Sequence, residues 1–576
     1  MVWTTLTDGL AEALRAIGLE RPDILARIEL AVPRDPAHGD WTTNLALGLA
    51  REAKRSPRAI AEALVAAFPR DPAVFASVEV AGPGFLNFRY APALLATLPA
   101  RIVSEGEAFG RSALGSPTPT LVEYVSANPT GPLNVVNARA AAVGSTLVRL
   151  LEATGHRAEG EFYVNDAGRQ VELLGESVAA RFAERIGTPR AFPEDGYAGE
   201  YVRDIARALP EDEARAALAR PDGIAWFRDR AIERMIASQR EDLMAYGVEF
   251  SRWFRESTLH DTDAVGETLR ALEARGVVYR AARPEVGDEA EREADDVARG
   301  EATWLRTSRF GDEKDRVLVR GNRVPTYLLP DIAYHRNKAA RGFRCAIDLW
   351  GPDHHGHIGR MQAALAGLGQ EPGFLEVIIV QQVNLMSGGE LVKMSKRAGE
   401  FVTLRDLMDD IGADCAKFFF LMRSTSAHLD FDLDLARQQN DENPAYYVQY
   451  AHARIASLLR YAAERGLSPA AGAPLPDAEL AIPEAMALVR KLSTYPEVVR
   501  GAAAAREPHR IPTFLTEAAA DFHRFYHACR VVTEDLERSR ARLLLAAAAR
   551  QVIANGLGLM GVSAPERMAR AVEVAE

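Results

Sequence analysis

The chain has 576 residues, 48% of them hydrophobic and 26% charged, which is the composition of a globular protein and, at this length, implies roughly three or four domains. Three scattered cysteines (Cys345, Cys415, Cys529) argue against a disulfide framework, and no apolar run approaches a membrane span. The start Met1-Val2-Trp3-Thr4 lacks the regions of a signal peptide, so a reducing cytosol is expected, and a net charge of −11 requires any nucleic acid to be met by local basic patches.

Residues 1 to about 112 read as a separate α/β domain. Apolar periodicity predicts helices over 6–17, 42–53 and 57–68; alternation predicts strands over 78–81 and 85–88 around the turn Gly82-Pro83-Gly84. Arg51, Lys54, Arg55 and Arg58 cluster at a helix junction, a pattern that is usually a solvated face and that would also suit an RNA backbone.

After the linker Ser116-Pro117-Thr118-Pro119 comes a predicted strand over 121–125, the turn Ser126-Ala127-Asn128-Pro129-Thr130-Gly131-Pro132, and a helix from about 138 to 153. Strand, Gly-Pro turn and helix in this order match the first unit of a doubly wound nucleotide-binding sheet, with the helix N-terminus facing the ligand. Residues 170–280 read as mostly amphipathic helix, and 285–299 as an exposed acidic insert. Strands are expected over 303–306 and 316–320, with a turn at Gly321-Asn322. Buried parallel strands are expected over 345–350 and 376–380, ending at Gly351-Pro352-Asp353-His354-His355 and Gln381-Gln382-Val383-Asn384, where a doubly wound fold binds its ligands. The histidines His354, His355 and His357 do not have zinc spacing and lack cysteine partners, so no metal ligands are assigned.

Only seven of the chain's 69 basic side chains are lysines, and two of them sit three apart in Leu391-Val392-Lys393-Met394-Ser395-Lys396-Arg397. Gly388-Gly389 precedes this segment, which reads as a mobile loop carrying compact point charges suited to a moving polyphosphate. From about 404 onward the chain is nearly all helix. Asn443-Pro444 caps a helix on which Tyr446, Tyr450 and Arg454 share a face. Aromatics so spaced are most often core; with the arginine they also suit stacking on single-stranded RNA.

Taken together these motifs resemble the class I arginyl-tRNA synthetases, over nearly the whole chain. The resemblance is carried by Asp35-Pro36-Ala37-His38-Gly39-Asp40, Val80-Ala81-Gly82-Pro83-Gly84-Phe85, Glu123-Tyr124-Val125-Ser126-Ala127-Asn128-Pro129, Tyr327 with Asp331, Gly351 with Asp353, the lysine loop, and the stretch from Asn443 to Arg454, all in family order. It implies a tRNA-contacting N-terminal domain (1–112), a Rossmann-like catalytic domain (113–385) with a largely helical insertion at about 185–300, a lysine-loop and connecting region (386–435), and an all-α anticodon-binding domain (436–576). It also implies that arginine reacts with ATP and Mg2+ to an adenylate and pyrophosphate, and that the arginyl group then passes to tRNA(Arg). A monomer without membrane association, in the cytoplasm, is expected.

By the same resemblance Glu123, Ser126, Asn128, Tyr327 and Asp331 would hold arginine. Asn134, Asn137, Gly351, Asp353, His354, Lys393, Ser395 and Lys396 would hold ATP, with Lys393, Lys396, Asn134 and Asn137 acting in catalysis. Tyr447, Tyr450 and Arg454 would bind tRNA. A carboxylate pair fits the guanidinium fork and would reject amino acids that leave it unpaired.

One departure stands out. Where the family usually carries His-x-Gly-His, this chain has Asn134-Val135-Val136-Asn137. Asparagine keeps an amide donor but cannot be protonated, and Val136 adds bulk where glycine lets adenine pack on the backbone. Two readings follow: an active arginine–tRNA ligase, or a catalytically silent paralogue that binds arginine or tRNA as a sensor or regulator.

Overall fold

The computed structural model describes residues 2–21, 24, 28–33, 35–113, 117–286, 300–392, 402–470 and 472–568. In the N-terminal unit β1 (Trp41–Thr43), β2 (Phe75–Ala81) and β3 (Phe85–Tyr90) form an antiparallel sheet in the order β1-β3-β2. Helices Leu45–Ala53 and Pro57–Ala67 pack against it. Sequence periodicity placed 42–53 in one helix, but Thr42 and Thr43 pair with Asn87 and Leu86. Branched threonines fit a pleated edge better than a helix start, and the helix begins only after Asn44.

The central unit is built on β4 (Pro119–Glu123), β5 (Arg157–Val164) and β6 (Arg252–Arg255). A small antiparallel sheet of β7 (Val278–Ala281), β8 (Ala302–Leu305) and β9 (Arg316–Val319) follows, then β10 (Cys345–Trp350) and β11 (Leu375–Ile379). The five-stranded parallel sheet runs β11-β10-β4-β5-β6. Strands β5 and β6 have no counterpart in the sequence reading; β6 lies inside the stretch read as helix, because four residues at a sheet edge leave too little periodicity to register. The turn at Gly321-Asn322 is present, with Arg323 N donating to Arg320 O at 2.8 Å, but it leads to an isolated bridge between Val319 and Pro325 instead of a second strand.

Helix Val135–Ala153 starts three residues earlier than predicted, because Asn134 caps it. It lies close against β4: a Cβ on Gly144 would stand 2.1 Å from Tyr124 Cγ, so only glycine lets the helix seat there. Beyond the sheet, β12 (Val383–Ser387) pairs with β13 (Glu390–Leu391) and β14 (Leu429–Asp432). Helices Leu404–Ile411 and Ala413–Leu421 connect this region to the C-terminal bundle.

That bundle comprises Pro444–Ala463, Pro483–Ser493, Tyr495–Ala504, Arg510–Ala528 and Leu536–Met560. The last helix corrects one expectation: by length and composition it could cross a membrane, although no such run was anticipated. Its most apolar window is 67% buried, against helices Pro92–Glu105, Pro444–Ala463 and Arg510–Ala528. That burial is what a core helix of a bundle requires.

Candidate active site

Parallel pairing aligns Glu123 with Asp348 on one side and with Glu161 on the other, so three carboxylates stand abreast on β10, β4 and β5. All three are buried. Like charges at such spacing are unstable unless cations intervene. The cations come from one face of helix Leu328–Ala340 and its C-cap. Lys338 Nζ donates to Glu123 Oε2 at 2.6 Å and to Asp348 at 2.8 and 3.0 Å. Arg341 forks onto Glu161, with Nη2 donating to Oε1 at 2.8 Å, and the Tyr334 hydroxyl donates to the same oxygen at 2.7 Å. His335 Nε2 lies 2.8 Å from Asp348 Oδ2, and its Nδ1 lies 2.7 Å from Asp331 O.

Immediately after β4 the chain is forced into a tight turn. Val125 and Ser126 have φ of 70° and 42°, left-handed values that a β-branched residue rarely adopts. The turn aims Ser126 Oγ back to donate to Glu123 Oε1 at 2.9 Å and to accept from Tyr163 N at 3.2 Å. Asn128 Nδ2 donates to Gln170 Oε1 at 2.6 Å, and Gln239 Nε2 holds the turn through Asn128 O and Gly131 O. Asp331 sits on the first turn of helix Leu328–Ala340, within reach of the charges of Glu123, Glu256 and Lys338. Burial pushes its carboxyl up to about 7; His335 opposes the shift, and the like charges of Glu256 and Glu123 add to it. Burial also raises Glu123, against the pull of Lys338. Asp348 goes the other way, to about 2: burial would raise it, but Lys338 and His335 together more than offset that.

The structure therefore brings Glu123, Ser126 and Asp331 together, while the side chain of Asn128, on the turn that follows β4, is bonded to Gln170. Tyr327 is not brought there: the residue precedes helix Leu328–Ala340 and its ring is 86% exposed.

At the neighbouring helix N-terminus the two asparagines form a capping box. Val136 N and Asn137 N donate to Asn134 Oδ1 at 3.0 and 3.1 Å, while Asn134 N donates to Asn137 Oδ1 at 3.0 Å. Both amide oxygens are thus taken up by backbone, leaving the Nδ2 groups as the available donors. Asn134 also bridges to Thr403, and Leu404 N donates to Leu133 O at 2.8 Å. Residues at the far end of the lysine segment are therefore stitched to this cap. Lys393, Ser395 and Lys396 themselves lie outside the described residues.

Gly351 heads a short 3-10 helix, Pro352–His357, at the end of β10. A Cβ there would meet nothing within 4 Å, and Asp353 and His354 beyond it are exposed. His354 packs edge-on against Trp350. Among the described residues no group of three or more His, Cys, Asp or Glu side chains could hold a metal.

Sequence reasoning missed the rest of the ionic cluster around Glu123: Lys338, His335, Asp348, Glu161 and Arg341. A signal existed, since Asp348 interrupts an otherwise apolar buried strand and Lys338 is one of so few lysines. It also missed Arg139, which is fully buried and donates to Gln381 O, Ser424 O and Ala427 O at 2.9, 2.9 and 3.1 Å. That fork ties the capped helix to the loops that lead into β12 and β14.

In the C-terminal bundle Asn443 Oδ1 accepts from Ala445 N and Tyr446 N at 3.0 and 3.2 Å, so the predicted cap is present. Tyr446 and Tyr450 stack at 5.9 Å, and Arg454 lies over Tyr526 at 4.4 Å. Tyr447 and Tyr450 both flank His523, at 5.1 and 6.4 Å. These tyrosines are half-buried: one ring face packs inward and part of each stays open.

Comparison with known proteins matches three family descriptions along the chain. The family description "Arginyl tRNA synthetase N terminal domain" matches residues 4–90, "tRNA synthetases class I (R), catalytic domain" matches 100–418, and "DALR anticodon binding domain" matches 448–568. The chain is 44% identical to the arginine–tRNA ligase of Syntrophotalea carbinolica, over 94% of this chain and 95% of that one. A crystal structure described as a putative arginyl tRNA synthetase from Campylobacter jejuni superposes with a TM-score of 0.72 at 32% identity, covering 83% of this chain and all of that one. The Thermus thermophilus arginyl-tRNA synthetase, at 22% identity, shares the fold with a TM-score of 0.76 over 99% of this chain and 100% of that one. A doubly wound catalytic sheet between a small α/β domain and a helical bundle, matched along its length by these relatives, places the chain in the arginyl-tRNA synthetase family of class I.

Proposed function

We propose that the chain is an arginine–tRNA ligase, acting in the cytoplasm as a monomer. It activates L-arginine with Mg2+-bound ATP to arginyl-adenylate and pyrophosphate, and esterifies tRNA(Arg) with the product. The observation that carries the arginine assignment is the carboxylate floor at the ends of β4 and β10, with Asp331 beside it on the helix that also supplies Lys338. A guanidinium offers five donors in a plane and pairs with carboxylates in a fork; a substrate lacking the fork would leave buried carboxyls unpaired. Glu123 and Asp331 take the guanidinium, Ser126 and Asn128 the main-chain end, and Tyr327 the outer side of the site.

ATP lies along the capped helix N-terminus. Backbone donors and the helix dipole there favour phosphate, and the Nδ2 groups of Asn134 and Asn137 add directed donors. Gly351 gives the adenosine room at the end of β10, Asp353 accepts from ribose hydroxyls, and His354 borders the nucleotide. Lys393 and Lys396, with Ser395 between them, neutralise the transferring phosphate without a covalent enzyme intermediate. Tyr447, Tyr450 and Arg454 read the anticodon by stacking and polar contact. The test is arginine-dependent ATP–pyrophosphate exchange and tRNA charging, with cognate tRNA present and all twenty amino acids compared. Charging by arginine alone supports this reading; a well-folded protein that binds arginine without exchange would instead be the silent paralogue.

A further inference from the structure

Lys338 is fully buried, and its ammonium is shared between two carboxylates on adjacent strands. The two are not equally dependent on it. Asp348 has His335 as a further partner at 2.8 Å. Glu123 has the Ser126 hydroxyl at 2.9 Å but no second cation within ion-pair distance among the described residues. Its other charged or titratable surroundings are Asp348 from β10, Asp331, His335 and Tyr334 from helix Leu328–Ala340, and Tyr163 and Glu161 from β5. Most of these disfavour a second negative charge.

We infer that Lys338 is a positioning residue for amino-acid selection: by pairing with Glu123 from beneath, it keeps that carboxylate ionised and fixed, so that Glu123 accepts hydrogen bonds from a guanidinium. This rests on Glu123 belonging to the arginine site. Asp348 and His335 anchor the ammonium from behind. Without the ammonium a buried carboxyl beside Asp348 takes up a proton, and its O–H then points a donor at a substrate group that has only donors. The lysine's compact ammonium reaches carboxylates on two adjacent strands at 2.6 and 2.8 Å.

The inference is tested with Lys338→Met, Glu123→Gln and the double variant in ATP–pyrophosphate exchange between pH 6 and 8.5, with unfolding followed by circular dichroism. Lys338→Met is expected to raise the arginine KM at pH 7 by about tenfold or more, as loss of a charge-assisted bond does. The ATP KM should stay within about twofold, and the ratio of the arginine KM to the wild-type value at the same pH should fall back toward one as pH rises and Glu123 re-ionises. A lysine that served only folding would give no such pH-recoverable loss. The double variant should have an arginine KM no higher than Glu123→Gln alone, because Lys338 acts through Glu123. Additive effects, or an unchanged arginine KM in Lys338→Met, would overturn the inference. If Lys338→Met does not fold, the double variant, which leaves one fewer buried charge unpaired, decides by the same comparison. An unchanged arginine KM in Glu123→Gln would remove Glu123 from the site and overturn the underlying reading as well; a raised one with a normal Lys338→Met overturns the lysine role alone.

Discussion

The carboxyl end of the sheet and the tyrosine face of helix Pro444–Ala463 are built in opposite ways, and on the reading proposed above each way suits its ligand. The first is an ionic floor of Glu123, Asp348, Lys338, Glu161 and Arg341, buried and cross-bonded in the protein itself. The second is a row of half-open rings, Tyr446, Tyr447 and Tyr450, held by stacking on each other and on His523. A small cation has to be told apart from similar amino acids, and a dry pre-arranged charge gives that discrimination. A base in single-stranded RNA is met by a surface, and stacking tolerates an open, partly wet one.

The largest break in this comparison should come at the sheet end. On the proposed reading, replacing Asn134 and Asn137 together with alanine would remove two donors to developing charge, each worth on the order of 10²–10³-fold in comparable sites. The same change dismantles the capping box, so thermal unfolding should also show a loss of about 1 kcal/mol. Pyrophosphate exchange near wild type in the double variant would confine these residues to capping. Asp331→Asn comes next. Loss of a charge-assisted bond to the guanidinium costs about 1.5–3 kcal/mol, so arginine kcat/KM should fall well over tenfold with ATP KM little changed. Unaltered arginine kinetics would take Asp331 out of the site.

Tyr450→Ala tests the other region. Lost stacking of about 1–3 kcal/mol per base should raise the tRNA KM while arginine and ATP KM stay put. A variant that melts instead shows the ring to be core. The smallest effect, and the sharpest contrast, is in pH. Burial pushes the Asp331 carboxyl up to about 7, and on the proposed reading it binds the guanidinium best when ionised, so the arginine KM should fall as pH rises from 6 to 8, at most about tenfold per unit. Burial holds His523 down to about 4, with Arg454 adding to the shift, so this imidazole beside the tyrosines is neutral throughout that range. The tRNA KM should therefore be flat where the arginine KM slopes; a parallel slope in both would sink the contrast.

What the sequence determined by itself is local. Asn443-Pro444 announces a cap and a helix start because both act within one turn, and the helical C-terminal half is written in its periodicity. The strand-turn-helix unit at Glu123 to Ala153 and the apolar strands read at 345–350 and 376–380, the latter observed over Leu375–Ile379, were legible for the same reason. The family resemblance suggested roles for Glu123, Asn128 and Asp331, of which the structure brings Glu123 and Asp331 close together. The tertiary structure alone decided what stands around Glu123. Lys338 meets Glu123 across 215 residues and Arg341 meets Glu161 across 180. Nothing in local spacing encodes such a meeting; it follows from the order β10-β4-β5, which puts three carboxylates abreast and one helix face beneath them. The exposed position of Tyr327 and the use of the asparagine oxygens as caps were likewise settled by backbone geometry, because the same side chain serves a ligand or its own helix according to where its atoms point.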